Sequence, residues 1–146
     1  MTEYTKLRNI NRGYMKLDVW QKAIELHGLA YQIVYNESKV EFKLRAQIAD
    51  ATQSVSANIS EGYGRRSIKE YIQHCYIALG SLAEAMARMI GLKVTLVISE
   101  EQFQRFDVLH YEVENKLLRL IESLEKKRDD GTWTDRVSED FADYNP

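Results

Sequence analysis

Residues 54–67 read SVSANISEGYGRRS. This stretch decides the fold, because it closes one helix and opens the next. Leu44, Ile48, Ala51, Val55, Asn58 and Gly62 recur at alternating steps of four and three. Such a heptad-like stripe predicts a helix with Asn58 on its buried face. Gly is the usual residue just past a helix end, so the helix is expected to stop near Tyr63-Gly64, with Gly62 and Gly64 permitting a tight reversal. Ser67-Ile68-Lys69-Glu70 then has the spacing of a capping box, in which Ser accepts from an early backbone N–H and Glu reaches back. A buried Asn costs on the order of 1–3 kcal/mol if its hydrogen bonds are lost. It is more often a device for fixing helix register than a ligand group. Glu61, four residues before Arg65, is placed to pair with it. Arg65, Arg66 and Lys69 cluster where the next helix begins, and positive charge at a helix N-terminus is electrostatically misplaced. A local conflict of this kind marks a candidate functional site. The plain alternative is a solvated corner whose charges serve solubility.

Outward from this corner, helical patterns continue in both directions. Before it, Val19, Ala23, Leu26, Ala30 and Ile33 form one apolar row and Trp20, Ile24, His27, Tyr31 and Val34 a second. Together they give a first helix from about 18 to 36, with an apolar face wider than one partner needs. Asp18-Val19-Trp20-Gln21 reads as its capping box. After the corner, Ile68, Ile72, Cys75, Leu79, Leu82, Met86 and Met89 make the third stripe, expected to run on through Val94 and Val97. Small residues (Ala78, Gly80, Ser81, Ala83, Ala85, Ala87) crowd its middle and allow close helix approach. Ser99-Glu100-Glu101-Gln102 caps a fourth helix, whose stripe is Phe103, Phe106, His110, Val113, Leu117, Leu120 and Leu124. It fades at Lys126-Lys127-Arg128, where positive charge suits the negative end of the helix dipole. The expectation is an all-α, antiparallel up-down four-helix bundle.

Composition agrees. The chain has 146 residues with 45% hydrophobic and 29% charged, enough for one domain with a sizeable core. One Pro and seven Gly favour long helices over a many-turned β fold. The bundle is expected over 17–128. A basic segment precedes it at 1–16, where Lys6, Arg8, Arg12 and Lys16 outweigh Glu3 by three (4 − 1). An acidic tail follows at 129–146, where six Asp and Glu outweigh Arg136 by five (6 − 1). Trp133, Phe141 and Tyr144 are unusual in a solvating tail and suggest that part of it docks. The formal net charge of −2 gives no global case for nucleic acid, so any basic surface is local. With no signal peptide or uninterrupted membrane-spanning run seen, a cytoplasmic location is expected.

Catalytic chemistry finds little support. The single Cys excludes an intramolecular disulfide and a multi-Cys zinc site. His27 and His110 lie on apolar stripes of different helices and read best as core histidines, each satisfied by a hydrogen bond. His74 and Cys75 are adjacent on a helix and point about 100° apart, a poor nucleophile–base geometry. No Glu-x-x-His spacing suggests a di-iron site, and no Gly-rich loop follows a strand. No metal, cofactor or enzymatic activity is expected.

The run Ser54-Val55-Ser56-Ala57-Asn58-Ile59-Ser60-Glu61-Gly62-Tyr63-Gly64-Arg65 resembles the Ser-x-x-x-Asn-Ile-x-Glu-Gly-x-Gly-Arg signature of the small "four helix bundle protein" family. That family includes proteins encoded in 23S ribosomal RNA intervening sequences and the accessory variability determinant proteins of diversity-generating retroelements. Val19-Trp20, Glu70-Tyr71-Ile72 and Ile77-Ala78-Leu79-Gly80-Ser81-Leu82-Ala83-Glu84 extend the likeness over residues 16 to 125. The resemblance implies a homopentameric ring and an association with nucleic acid or ribosomal RNA. The retroelement proteins are strongly basic, whereas this chain is mildly acidic and so sits closer to the intervening-sequence branch. Residues 38–42 lack the Phe-Pro pair common before the second helix. Two functions remain open: a non-enzymatic RNA-binding oligomer, with Arg65, Arg66 and Lys69 on phosphate and Lys43 and Arg45 as additions, and a protein-binding oligomeric scaffold.

Overall fold

The structure, a computed structural model, describes residues 13–133. Most of the basic segment, with Lys6, Arg8 and Arg12, and the tail beyond Trp133, with Phe141 and Tyr144, lie outside the described residues. Among the described residues there are four long helices and no strand. Helix α1 spans Asp18–Tyr31 and continues through a π-helical turn, Gln32–Glu37. Helix α2 spans Phe42–Gly64, α3 Ile68–Val94 and α4 Glu100–Asp129. Short connections make sequential helices antiparallel, and α4 returns to close against α1.

The apolar stripes become the core. Val19, Ala23, Leu26, Ala30 and Ile33 are buried, as are Phe106, Val113 and Leu117 opposite them. The second row of α1 is only partly interior. Trp20 and Val34 are buried, His27 is half-buried and Tyr31 is exposed. On α4, Ile121 is buried while Leu120 is only partly so, as the buried stripe moves from Leu117 by a step of four in place of three. On α3 the small residues divide. Ala78 and Ala85 lie in the core, while Gly80, Ala83 and Ala87 face outward.

Local signals decide the helix ends unevenly. Ser99 and Gln102 form the expected reciprocal capping box, at 3.1 and 2.8 Å. Ser67 accepts from the Glu70 backbone N–H. The expected box at Asp18 does not form. Leu17 is the N-cap, and Gln21 donates instead to the Met15 carbonyl at 2.8 Å. Asp18 pairs with Lys116 of α4. The cause lies just before the helix: a 3-10 turn at Gly13–Lys16 buries Met15 and brings its carbonyl within reach of Gln21. Helix α3 stops at Val94 and not at Val97, because Leu96 takes a left-handed conformation, φ 62°.

The most extensive helix contact is that of α2 with α3. Gly62 is buried inside α2, and a Cβ built there would lie 2.7 Å from the Cβ of His74 and 3.2 Å from the Tyr71 carbonyl. The glycine therefore serves close helix packing and not a reversal. Gly64 has open space around it, and Arg66 supplies the left-handed turn, φ 62°.

Two glycine substitutions should separate packing from propensity. Gly62→Ala must push α2 off α3 and should cost about 1–3 kcal/mol, as overpacking does. Gly28→Ala meets nothing within 4 Å and should stabilise by up to about 1 kcal/mol through helix propensity. Urea denaturation midpoints read both, and equal shifts would contradict the close approach at Gly62.

Candidate functional site

The signature residues line the α2–α3 seam and form one connected polar network. Asn58 is half-buried, not buried. Its amide nitrogen donates to the Ser54 carbonyl and hydroxyl, both at 2.9 Å. That orientation leaves Oδ1 facing His74 Nδ1 at 3.1 Å, so the imidazole nitrogen carries the hydrogen and donates. Ser81 of α3 donates to the Ser54 hydroxyl at 2.9 Å. The network continues to the corner. Glu61 Oε2 lies 3.9 Å from His74 Nδ1, Glu61 Oε1 accepts from Arg65 at 2.9 Å, and Arg65 also lies 3.8 Å from Glu70.

Other signature residues hold α1 and the pole around it. Ser60 accepts from the Trp20 indole at 2.7 Å and donates to the Ser56 carbonyl. Tyr63 packs edge-on against Tyr14 and Tyr71, and Tyr71 meets Trp133 in the same manner. Thus the first residue of the tail segment beyond Gly131 to carry a ring docks on the start of α3. Lys127 lies 5.7 Å from the centre of the Trp133 ring.

The expected basic residues fall into two groups. Arg65, Arg66 and Lys69 stand at the α2–α3 corner, and Lys69 is exposed. Lys43 and Arg45 occupy the opposite end of α2. At 1.5 Å per residue they are about 30 Å away. Arg65 does not stand at the N-terminus of α3 as an unbalanced charge, because Glu61 and Glu70 flank it. The Arg65 guanidinium, with a smaller contribution from the charge of His74, holds the Glu61 carboxyl below its usual range.

Catalytic geometry is sparse. Burial pushes the Cys75 thiol up to about 12, leaving it a poor nucleophile. His110 Nε2 contacts the Leu82 carbonyl at 2.7 Å and His27 contacts Thr52 at 2.9 Å, so the two rings serve different helix pairs. Among the described residues no three side chains of metal-binding type converge. Sequence reasoning missed His74 and Ser81 as partners of the signature. A signal was present: in an antiparallel pair, residues equidistant from the 65–67 turn face one another, and His74 is as far beyond it as Asn58 is before it.

Two outcomes follow for this network. Asn58→Leu removes the acceptor of His74 and the donor to Ser54, and should cost about 1–3 kcal/mol. An unchanged urea midpoint would mean that water satisfies the seam equally well. Arg65→Ala should raise the Glu61 pKa toward the ordinary carboxylate value, read by NMR titration of the side-chain carboxyl. Because the folded-state pKa is the lowered one, the stabilisation from this pair is present above the ordinary Glu range and lost as pH falls through the folded value. A Glu61 titration identical in the variant would overturn the assignment.

Comparison with known proteins gives the network a context. No curated protein matches the sequence. A protein with unknown function from the S23 ribosomal protein family of Bacteroides thetaiotaomicron has a similar crystal structure. The TM-score is 0.66 at 27% identity, covering 71% of this chain and 95% of that one. The profile of the 23S rRNA-intervening sequence proteins matches residues 15–119, a span that holds the whole α2–α3 network. The chain therefore belongs to the 23S rRNA-intervening sequence protein family.

Proposed function

We propose that the protein is a self-assembling helical bundle of the cytoplasm, without chemistry of its own, that closes into a ring of copies and carries RNA on it. The observation that carries the assembly is the outward face of α3. Tyr76, Ile77, Ile90 and Val94 are 48%, 47%, 43% and 72% exposed, and Gly80, Ala83, Ala87 and Gly91 lie exposed between them. Within this helix an 18-residue window reaches a mean hydropathy of 1.3. Its inner side is committed to the bundle through Cys75, Ala78, Leu82, Ala85 and Met89. An apolar face of this length on a packed helix marks an interaction surface. The family likeness favours a pentamer.

The RNA reading is favoured by the pole at which the signature corner stands. Arg66 and Lys69 share that pole with the Lys126-Lys127-Arg128 end of α4, brought there by the Trp133–Tyr71 contact. Repetition around a ring would turn a modest patch into a multivalent band. A protein partner on the same surface is the competing reading.

Light scattering should give a mass several times 17.0 kDa, and Ala83→Arg with Ile90→Arg should reduce it to one copy with helicity unchanged. A wild-type monomer at micromolar concentration would end the assembly reading. Arg66→Gly, which keeps the left-handed backbone, combined with Lys69→Ala should make the dependence of log affinity for ribosomal RNA fragments on log salt shallower by about 0.7 for each phosphate no longer neutralised. A flat salt response of the wild type would favour the protein partner.

A further inference from the structure

The turn that joins α1 to α2 carries a run of planar groups that begins and ends in solvent. Tyr35, in the π-helical turn Gln32–Glu37, lies flat on Tyr31, with centres 4.2 Å apart and planes within 12°. From the first turns of α2, Arg45 lays its guanidinium carbon 4.8 Å from the centre of Tyr35 and 5.6 Å from that of Phe42. The contacts thus run from Tyr31 to Tyr35 to Arg45 to Phe42. Both ends of the run are open, Phe42 at 70% and Tyr31 at 44% exposure.

The charge around it is positive. Residues 38–46 hold Lys39, Lys43 and Arg45 against Glu41, a surplus of two (3 − 1). Neighbouring Glu37 is already neutralised, accepting from Arg105 at 2.9 Å and from Gln102 at 3.2 Å. Among the described residues Arg45 makes no ion pair, and its Nε has no hydrogen-bond partner. Exposed flat faces beside uncompensated cations are the recognition chemistry of unstacked bases and their phosphates. A duplex hides those faces. An apolar peptide would gain nothing from a guanidinium set between the rings.

We propose that this stack is a platform for the bases of single-stranded nucleic acid, with Phe42 and Tyr31 stacking on bases and Lys39 and Lys43 on phosphate. It rests on the nucleic-acid part of the function proposed above, and lies at the pole opposite Arg66 and Lys69. The test is fluorescence anisotropy with a labelled single-stranded RNA 12-mer and with its duplex, using the full chain. Phe42 is too exposed for Phe42→Ala to disturb the core. Phe42→Ala should weaken single-strand binding about five- to a hundredfold with an unchanged salt slope, and Phe42→Trp should restore it. Lys43→Ala should instead make the slope shallower. Equal binding of duplex and single strand, or an unaffected Phe42→Ala variant, would overturn the platform while leaving RNA binding standing. A Phe42→Ala variant that changes the mass in light scattering would assign the stack to contacts between copies and overturn it as well. Binding of proline-rich or other peptides in place of RNA would do the same. If the wild type binds no RNA at any salt, the nucleic-acid reading itself falls.

Discussion

The distance between α2 and α3 at Gly62 is the constraint on which the rest of the molecule depends. Without a side chain at that position, the backbone of α3 can approach α2 until His74 stands beside Asn58. With any larger residue, the hydrogen bonds of His74 to Asn58 and of Ser81 to Ser54 would be held too far apart to close. Hydrogen bonds in such a seam each contribute modestly, but a buried or half-buried polar group left unpaired costs more than a made bond returns. The seam therefore selects one register of α2 against α3. That register in turn sets where the outward face of α3 points and which residues of the corner reach solvent.

A signature that reads like a binding loop is thus, in large part, a joint. Ser54, Asn58 and Gly62 face α3, Ser60 holds the indole of α1, and Tyr63 anchors the aromatic cluster. Even Arg65 spends its charge on Glu61 and Glu70. What the chain presents to other molecules is the set of surfaces that the joint orients.

Much of the bundle was legible because helical periodicity and caps are local. Ser99 and Gln102 needed only their own neighbours to form a capping box. Asp18 had the same local spacing and failed, since the 3-10 turn before it offered Gln21 a different acceptor. Leu44 fitted its heptad stripe and yet is exposed, in the first turn of α2 at the edge of the bundle. Asn58 was placed on the buried face and is half-buried; beside Ser54 of its own helix its partner is His74 of α3, which no single-helix pattern names. The Tyr31–Tyr35–Arg45–Phe42 run was invisible for a related reason. It needs Arg45 of α2 to reach across onto Tyr35 of the preceding segment, a contact between elements that no single-helix pattern names.

The chain enters the described fold at Gly13 beside Tyr63 and leaves it at Trp133 beside Tyr71, two rings that touch each other. Both ends are therefore rooted at one pole of the bundle. The molecule consequently has a crowded end and a bare end. The 38–41 connection and the one between α3 and α4 stand together at the other pole, where Gln102 donates to Glu37 and Ser38. In a ring of parallel copies this asymmetry would be inherited by the whole assembly, giving it two chemically different rims.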